Sequence, residues 1–192
     1  MKFRDNIKAI KTLRRLRESG ASHATAEDRR ALVRYVGWGG LPQAFDPENS
    51  TWKSEYEELR QLLSVEDYAH ARRSTQDAHY TSVEVIKGIY QGLNRLGLRG
   101  GEGLTRILEP SAGIGNFLGL MPEKLHESDK KVLAVELDPT TAAIGKYLYP
   151  QARFINKGFQ DLDISDADFD LAIGNPPFGN QKIFDQIGRA HV

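Results

Sequence analysis

The chain has 192 residues, of which 40% are hydrophobic and 27% are charged, and its formal net charge is zero. These shares are typical of a globular protein and exclude wholesale disorder. The chain has no cysteine and no apolar run long enough to cross a bilayer, so we expect a cytoplasmic protein with no disulfide, no membrane segment and no bound metal.

The charges are distributed unevenly along the chain. Residues 1–100 carry 17 basic and 13 acidic side chains, whereas residues 101–192 carry 9 and 13. Contacts with phosphates, if the protein makes them, are therefore expected in the first half. A net charge of zero counts mildly against strong nucleic-acid binding by this chain alone.

The first 75 residues are predicted to form helices. Residues 5–18 place an apolar side chain at every third position, with basic side chains between them that form either a solvated face or a phosphate-contacting face. A second helix is predicted over 25–36 with Thr25 as its N-cap. Residues 52–73 read as two helices, with Ser64 capping the second.

Glycines surround a tryptophan in Gly37-Trp38-Gly39-Gly40-Leu41-Pro42. The composition predicts a tight turn with a specific backbone path. We interpret Trp38 as a core residue rather than a direct ligand contact.

The pattern changes after a helix that begins at Thr81 or Ser82 and reaches about Leu96. Four short apolar runs, with helical segments after the first and the second, read as strands: 105–109, 131–136, 153–155 and 169–173. Strands that alternate with helices predict βαβ units and therefore an α/β fold with a parallel sheet.

A glycine loop connects the first predicted strand to a helix: Glu109-Pro110-Ser111-Ala112-Gly113-Ile114-Gly115. Such glycines let the backbone approach a ligand closely. The third glycine of a dinucleotide fingerprint is replaced by Leu118, and Glu109 would repel a phosphate. The loop therefore favours a ligand that bears an ammonium and a sulfonium.

A second acid, Glu136, ends the next predicted strand, where a carboxylate can accept both hydroxyl protons of a ribose. Asp138 is the weaker candidate for that role, and a solvated acid at a strand end is the alternative.

The motif Asn175-Pro176-Pro177-Phe178 directly follows the fourth predicted strand. The prolines fix the backbone and remove N–H donors, so the Asn175 side chain and the Pro176 carbonyl can both accept hydrogen bonds. Two acceptors suit an amino group, and Phe178 offers a flat face for a planar substrate.

Together these motifs resemble class I S-adenosylmethionine-dependent methyltransferases, and the Asn-Pro-Pro-Phe element is typical of N6-adenine DNA methyltransferases. The segment His79-Tyr80-Thr81-Ser82-Val83 is similar to the motif that closes over the methionine part of the cofactor in that family. The resemblance covers about residues 76–180. It implies a Rossmann-like class I methyltransferase fold, with S-adenosylmethionine as cofactor and a flipped-out adenine in DNA as target.

The resemblance also implies a role for each matching residue. The amino-acid end of the cofactor would be lined by Tyr80, Thr81, Glu109, Pro110, Ser111, Gly113 and Gly115. Glu136 would hold the ribose, and Gln160 or Asp161 would lie near the cofactor's adenine. The target adenine would be held by Asn175, Pro176, Pro177 and Phe178.

Residues 35–42 resemble a segment of large methyltransferase–helicase proteins of phages, plasmids and conjugative elements. That resemblance implies a downstream helicase region in a parent chain and a role in modification or anti-restriction. The rival interpretations are a methyltransferase of protein glutamine or of guanine N2 in RNA, and a non-catalytic module that binds S-adenosylmethionine or DNA.

We expect three parts: a helical N-terminal region over 1–75, an incomplete methyltransferase domain over 76–186, and a non-native tail over 187–192. Only four strands are visible, fewer than a complete domain of this family has. The codons of Ile187-Gly188-Arg189-Ala190-His191-Val192 can be written as a sequence that resembles a common sequencing adapter. We therefore expect the genuine protein sequence in this chain to end near Gln186.

Overall fold

Seven α-helices and four β-strands form within the residues that the computed structural model describes, namely 1–75, 80–98, 106–125, 131–165 and 167–176. The helices are α1 (Lys2–Glu18), α2 (Ala26–Leu32), α3 (Lys53–Leu62), α4 (Val65–Arg73), α5 (Val83–Arg95), α6 (Asn116–Gly119) and α7 (Pro139–Leu148). The strands are β1 (Arg106–Glu109), β2 (Lys131–Glu136), β3 (Arg153–Asn156) and β4 (Leu171–Ala172). Short 3₁₀ turns lie between several of them.

Side-chain caps set the starts of α2, α4 and α5 as expected from the sequence. Thr25 and Asp28 form a reciprocal capping box at α2, and Ser64 accepts the Asp67 N–H at α4. Ser82, rather than Thr81, caps α5 by accepting the N–H of Val85.

The predicted end of α2 at Val36 is wrong, because the helix stops at Leu32. The buried side chain of Asn6 on α1 accepts the N–H of Val36 at 2.9 Å and donates to the carbonyl of Gly37 at 2.6 Å. This pair of contacts draws the chain out of the helix, and Gly37 then turns with a φ of +65°. A distant side chain thus determines where α2 ends.

The four strands form one parallel sheet in the order β3-β2-β1-β4. Ile107 of β1 aligns with Val132 of β2 on one side and with Leu171 of β4 on the other. Strands β1, β2 and β3 therefore lie side by side in chain order, and β4 then pairs with the opposite side of β1. This Rossmann-like α/β arrangement confirms the predicted fold class, and the return creates a crevice at the carboxyl ends of β1 and β4.

Strand β4 is shorter than the strand predicted over 169–173. Only Leu171 and Ala172 pair as strand residues, although the N–H groups of Asp170 and Ile173 also donate to β1 carbonyls at 2.9 Å. The sheet interactions therefore extend over most of the predicted run.

The N-terminal helices share a hydrophobic core with α7. Leu13, Leu32 and Trp38 belong to the same buried cluster as Ile144 and Leu148. The hydroxyl of Tyr147 on α7 also donates to the carbonyl of Ala21 at 3.0 Å. The predicted interpretation of Trp38 as a core residue is confirmed, and residues 1–75 pack directly on the α/β region.

The basic face of α1 is largely ion-paired. Arg4 and Lys11 lie 2.6 Å and 2.8 Å from the Glu58 carboxylate, and Arg15 pairs with Asp28. This pairing favours the solvated face over a phosphate-contacting one.

Several predictions fall outside the described residues: the roles of Pro177 and Phe178, the motif residue His79, and the tail over 187–192. No helix within the described ranges is both long and apolar enough to span a membrane.

Candidate functional site

The crevice at the carboxyl edge of the sheet is lined by the segments that follow β1, β2 and β4. Glu109 ends β1, Glu136 ends β2, and Asn175 comes shortly after β4. A methyl group added at Gly174 would lie 3.4 Å from Cδ of Pro110, so the segments after β4 and β1 are in direct proximity. The topology thus gathers at one edge residues that are 66 positions apart in the sequence.

The loop after β1 has a backbone that only glycine adopts easily at two positions. Gly113 has a φ of +57° and Gly115 a φ of +90°. The loop is tied to the neighbouring strand, because the Ala112 N–H donates to the Val135 carbonyl at 2.8 Å. The helix that follows, α6, has only one turn, so the loop itself rather than a long helix shapes this part of the crevice.

Glu136 joins the loop after β1 to the turn after β2. Its Oε2 accepts the N–H of Gly113 at 2.8 Å, and its Oε1 accepts the N–H of Asp138 at 2.8 Å. Burial raises the pKa of Glu136, although these backbone hydrogen bonds oppose the shift. A carboxylate oxygen can accept more than one hydrogen bond, so both oxygens can still receive a hydroxyl of a ligand.

Asp138, the alternative acid, has a structural role. Its Oδ1 accepts the Thr141 N–H at 2.7 Å and the Thr141 hydroxyl at 2.6 Å, which caps α7. This arrangement leaves Glu136 as the better candidate for contact with a ligand.

Glu109 and Ser111 carry buried polar atoms for which the described residues provide no hydrogen-bond partner. Glu109 is 1% exposed, and neither its Oε2 nor the Ser111 Oγ forms a hydrogen bond within the described structure. Burial raises the pKa of Glu109 well above that of an ordinary glutamate, and repulsion from Glu136 adds to the effect. Unpartnered buried polar atoms are costly to a fold, so their presence at the crevice indicates a ligand that would satisfy them.

Tyr80 and Thr81 bring the segment before α5 into the same site. The Tyr80 ring covers the glycine loop, since a methyl group at Gly113 would lie 3.0 Å from its Cε1. The hydroxyl of Thr81 accepts a hydrogen bond of 3.1 Å from Nδ2 of Asn175. The amide of Asn175 is therefore oriented, and its Oδ1 accepts no hydrogen bond from any described residue.

Gln160 and Asp161 stand apart from these residues. Both are exposed on the 3₁₀ turn Phe159–Asp161 after β3, and Gln160 donates to Asp161 at 3.2 Å. No described contact joins either side chain to the glycine loop or to Glu136, and a role near a cofactor's adenine stays a prediction. Pro110 approaches Gly174 at the crevice, whereas Pro176 is exposed.

Sequence reasoning missed two residues behind the site, Tyr35 and Thr141. Tyr35 is 2% exposed and belongs to the same buried cluster as Ile114 of the loop after β1, whereas Thr141 on α7 donates to Asp138. The only signal in the sequence was the position of Tyr35 beside the unusual glycine–tryptophan turn. Among the described residues, no group of three His, Asp or Glu side chains could hold a metal ion.

Among solved structures, the chain is similar to a TehB-like SAM-dependent methyltransferase from Corynebacterium glutamicum, with a TM-score of 0.31 and 21% identity over 49% of this chain and 56% of that one. It is also similar to the type I restriction-modification system methyltransferase subunit from Streptococcus thermophilus, with a TM-score of 0.45 and 17% identity over 83% of this chain and 46% of that one. The chain thus spans about half the length of each. No protein-family model and no curated protein matches it.

Proposed function

We propose that this chain is part of an S-adenosylmethionine-dependent methyltransferase that modifies the N6 amino group of adenine in DNA. The observation that carries the proposal is the position of Asn175, which donates to Thr81 and directly follows Gly174, the residue that lies against Pro110 of the loop after β1. Asn175 is oriented by Thr81, and its Oδ1 lacks a partner in the described structure. An amide acceptor in that state, next to a crevice lined by buried acids, suits the binding of an amino group beside a cationic donor.

The residues of the crevice fit the proposed cofactor. The unpartnered Glu109 Oε2 and Ser111 Oγ can satisfy the ammonium of its methionine part, and Glu136 can accept from ribose hydroxyls. Gly113 and Gly115 let the backbone approach closely. When bound, S-adenosylmethionine supplies a methyl group on a positively charged sulfur. The buried acids favour that charge, whereas they would repel a phosphate.

The chain's own residues would act on the acceptor amine. An exocyclic amine of adenine is a weak nucleophile because its lone pair is delocalised into the ring. Hydrogen bonds from its two protons to Oδ1 of Asn175 and to the carbonyl of Pro176 would concentrate charge on the nitrogen. In exchange for the methyl group that S-adenosylmethionine would supply, the nitrogen would lose one of the two protons held by Asn175 and Pro176, and that proton would pass to water. No covalent bond to the protein is needed, so the lack of cysteine is no obstacle.

The DNA substrate follows from the type of motif rather than from charge, since the chain has a net charge of zero. Pro177 and Phe178 complete the motif, and we propose that Phe178 stacks on a flipped adenine. A parent chain with a helicase region, encoded by a bacterium, phage or plasmid, would supply further DNA contacts. A role in restriction-modification or anti-restriction belongs to the same proposal.

The test measures cofactor binding and methyl transfer separately. Calorimetric titration with S-adenosylmethionine is expected to show binding by this chain. A labelled methyl group should appear as N6-methyladenine after incubation with double-stranded DNA. Asn175→Ala should abolish transfer while the affinity for S-adenosylmethionine stays within about twofold, since the amide contacts the acceptor.

Three results would contradict the proposal. Absence of cofactor binding removes the methyltransferase assignment. Label in protein glutamine or in guanine N2 replaces DNA adenine by one of the rival substrates. Binding without transfer to any of these acceptors favours a non-catalytic module.

A further inference from the structure

The carboxamide of Asn156 joins the ends of two neighbouring strands at the crevice. Asn156 is the last residue of β3, and it aligns with Glu136, the last residue of β2. Its Nδ2 donates to the carbonyl of Glu136 at 2.9 Å and to the carbonyl of Leu137 at 2.8 Å. The side chain thus continues the contact between the two strands past their last aligned pair.

One of these two carbonyls belongs to the peptide group that orients the Glu136 side chain. The Leu137 carbonyl and the Asp138 N–H lie in a single planar peptide unit. Asn156 holds the carbonyl end of that unit, while the N–H end donates to Oε1 of Glu136 at 2.8 Å. Because the unit is rigid, a rotation that turned its N–H away from Glu136 would also turn its carbonyl away from Asn156. Asn156 therefore fixes the direction from which Glu136 receives this hydrogen bond.

The other oxygen of the Glu136 carboxylate extends the connection from β3 to the glycine loop. Oε2 accepts the N–H of Gly113 at 2.8 Å. Each oxygen thus has a backbone N–H partner, and the two partners come from different segments. The orientation of the carboxylate depends on both contacts, since the loss of either would let the group turn about its terminal bond. One of the two contacts is the one that Asn156 supports.

We infer that Asn156 is a positioning residue for the cofactor site, which holds the peptide between Leu137 and Asp138 so that the Glu136 carboxylate faces the ribose. This inference rests on the proposed function, because it assumes that Glu136 binds the ribose of S-adenosylmethionine. Asn156 itself is exposed, so its replacement by alanine removes two hydrogen bonds without opening a cavity in the core. The replacement is therefore expected to leave the chain folded and to change its affinity for the ligand.

The experiment compares two asparagines whose side chains both bond to the backbone. Asn156→Ala removes the two hydrogen bonds at the end of β2, whereas Asn49→Ala removes the acceptor for the Thr51 N–H in the N-terminal region. Calorimetry with S-adenosylhomocysteine, which has the same ribose as the proposed cofactor, is expected to show an affinity weaker by roughly fivefold for Asn156→Ala, as for a lost hydrogen bond. The affinity of Asn49→Ala should equal that of the wild type. Circular dichroism checks that both variants are folded.

A second ligand, the analogue of S-adenosylhomocysteine that lacks both ribose hydroxyls, separates positioning of Glu136 from a general effect. Asn156→Ala and the wild type should bind this analogue equally, since the contact that Asn156 supports is then missing in both.

Three results would each overturn the inference: an equal loss of affinity for the two ligands, equal losses in the two asparagine variants, or wild-type affinity of Asn156→Ala for S-adenosylhomocysteine. If Asn156→Ala fails to fold, Asn156→Asp takes its place, because it keeps the shape of the side chain and lacks the N–H donors. Failure of both to fold would show that the amide supports the sheet as a whole, which also overturns the inference. A wild type that binds neither S-adenosylhomocysteine nor S-adenosylmethionine would instead remove the proposed function and the inference together.

Discussion

Gly115 is predicted to be the position in the glycine loop that is least tolerant of a side chain. Its φ is +90°, a conformation in which an L-residue is strained by about 1–2 kcal/mol. A β-carbon there would lie 2.7 Å from Cε2 of Tyr149 and 3.2 Å from Cζ of Phe154, so a packed ring would have to move. Overpacking of this kind costs about 1–3 kcal/mol, which gives about 2–5 kcal/mol for Gly115→Ala.

The matched control is Gly20→Ala. Gly20 has a φ of +65°, but a β-carbon there would have nothing within 4 Å, so only the strain of about 1–2 kcal/mol applies. Urea denaturation of the two variants and the wild type gives the free energies of unfolding. A loss for Gly115→Ala no larger than that for Gly20→Ala would refute the claim that Tyr149 and Phe154 close over this loop.

Two further predictions concern the polar residues of the crevice. Thr81→Val removes the acceptor for Nδ2 of Asn175 and should lower the rate of methyl transfer by roughly fivefold, whereas Thr81→Ser should retain it; equal loss in both variants would show that the hydroxyl is not what matters. Glu109→Gln should flatten the pH dependence of stability. The pKa of Glu109 is raised, so the folded chain binds its proton more tightly than the unfolded chain, and stability falls as the pH rises from the ordinary value of 4.5 through the raised pKa. Urea denaturation at several pH values measures this slope, and an unchanged slope in the variant would contradict the assignment.

The strands, and the proximity of the segments that follow them, could be predicted because local patterns determine the strands. Apolar runs predict the strands, and the parallel alignment of β1 and β4 then brings Glu109 close to Asn175 without further information. Caps such as Ser64 are also local, since hydroxyl and N–H are three residues apart.

The errors and omissions came from contacts that are distant in the sequence. The end of α2 depends on Asn6, 30 residues away from Val36, and no pattern within α2 reports it. The burial of Tyr35 in one cluster with Ile114 and Ile144 spans an even longer interval, and Tyr35 looks like an ordinary core residue in the sequence. The sequence left Asp138 as a second candidate for contact with a ligand, because an acid that caps a helix and an acid that ends a strand occupy the same place in the local sequence pattern.

The carboxylates at the crevice discriminate between classes of cofactor. Glu109 is buried, no described residue donates a hydrogen bond to its Oε2, and Glu136 lies close enough to raise the pKa of Glu109 further. A dinucleotide would place a pyrophosphate on a glycine loop of this kind, where two acids would oppose it. A ligand with a positive charge instead lowers the cost of ionising Glu109 and supplies the missing donor. The same feature that makes the free chain less stable at neutral pH therefore favours a cationic ligand, and in the proposed function the oriented amide of Asn175 would determine where the acceptor amine lies relative to it.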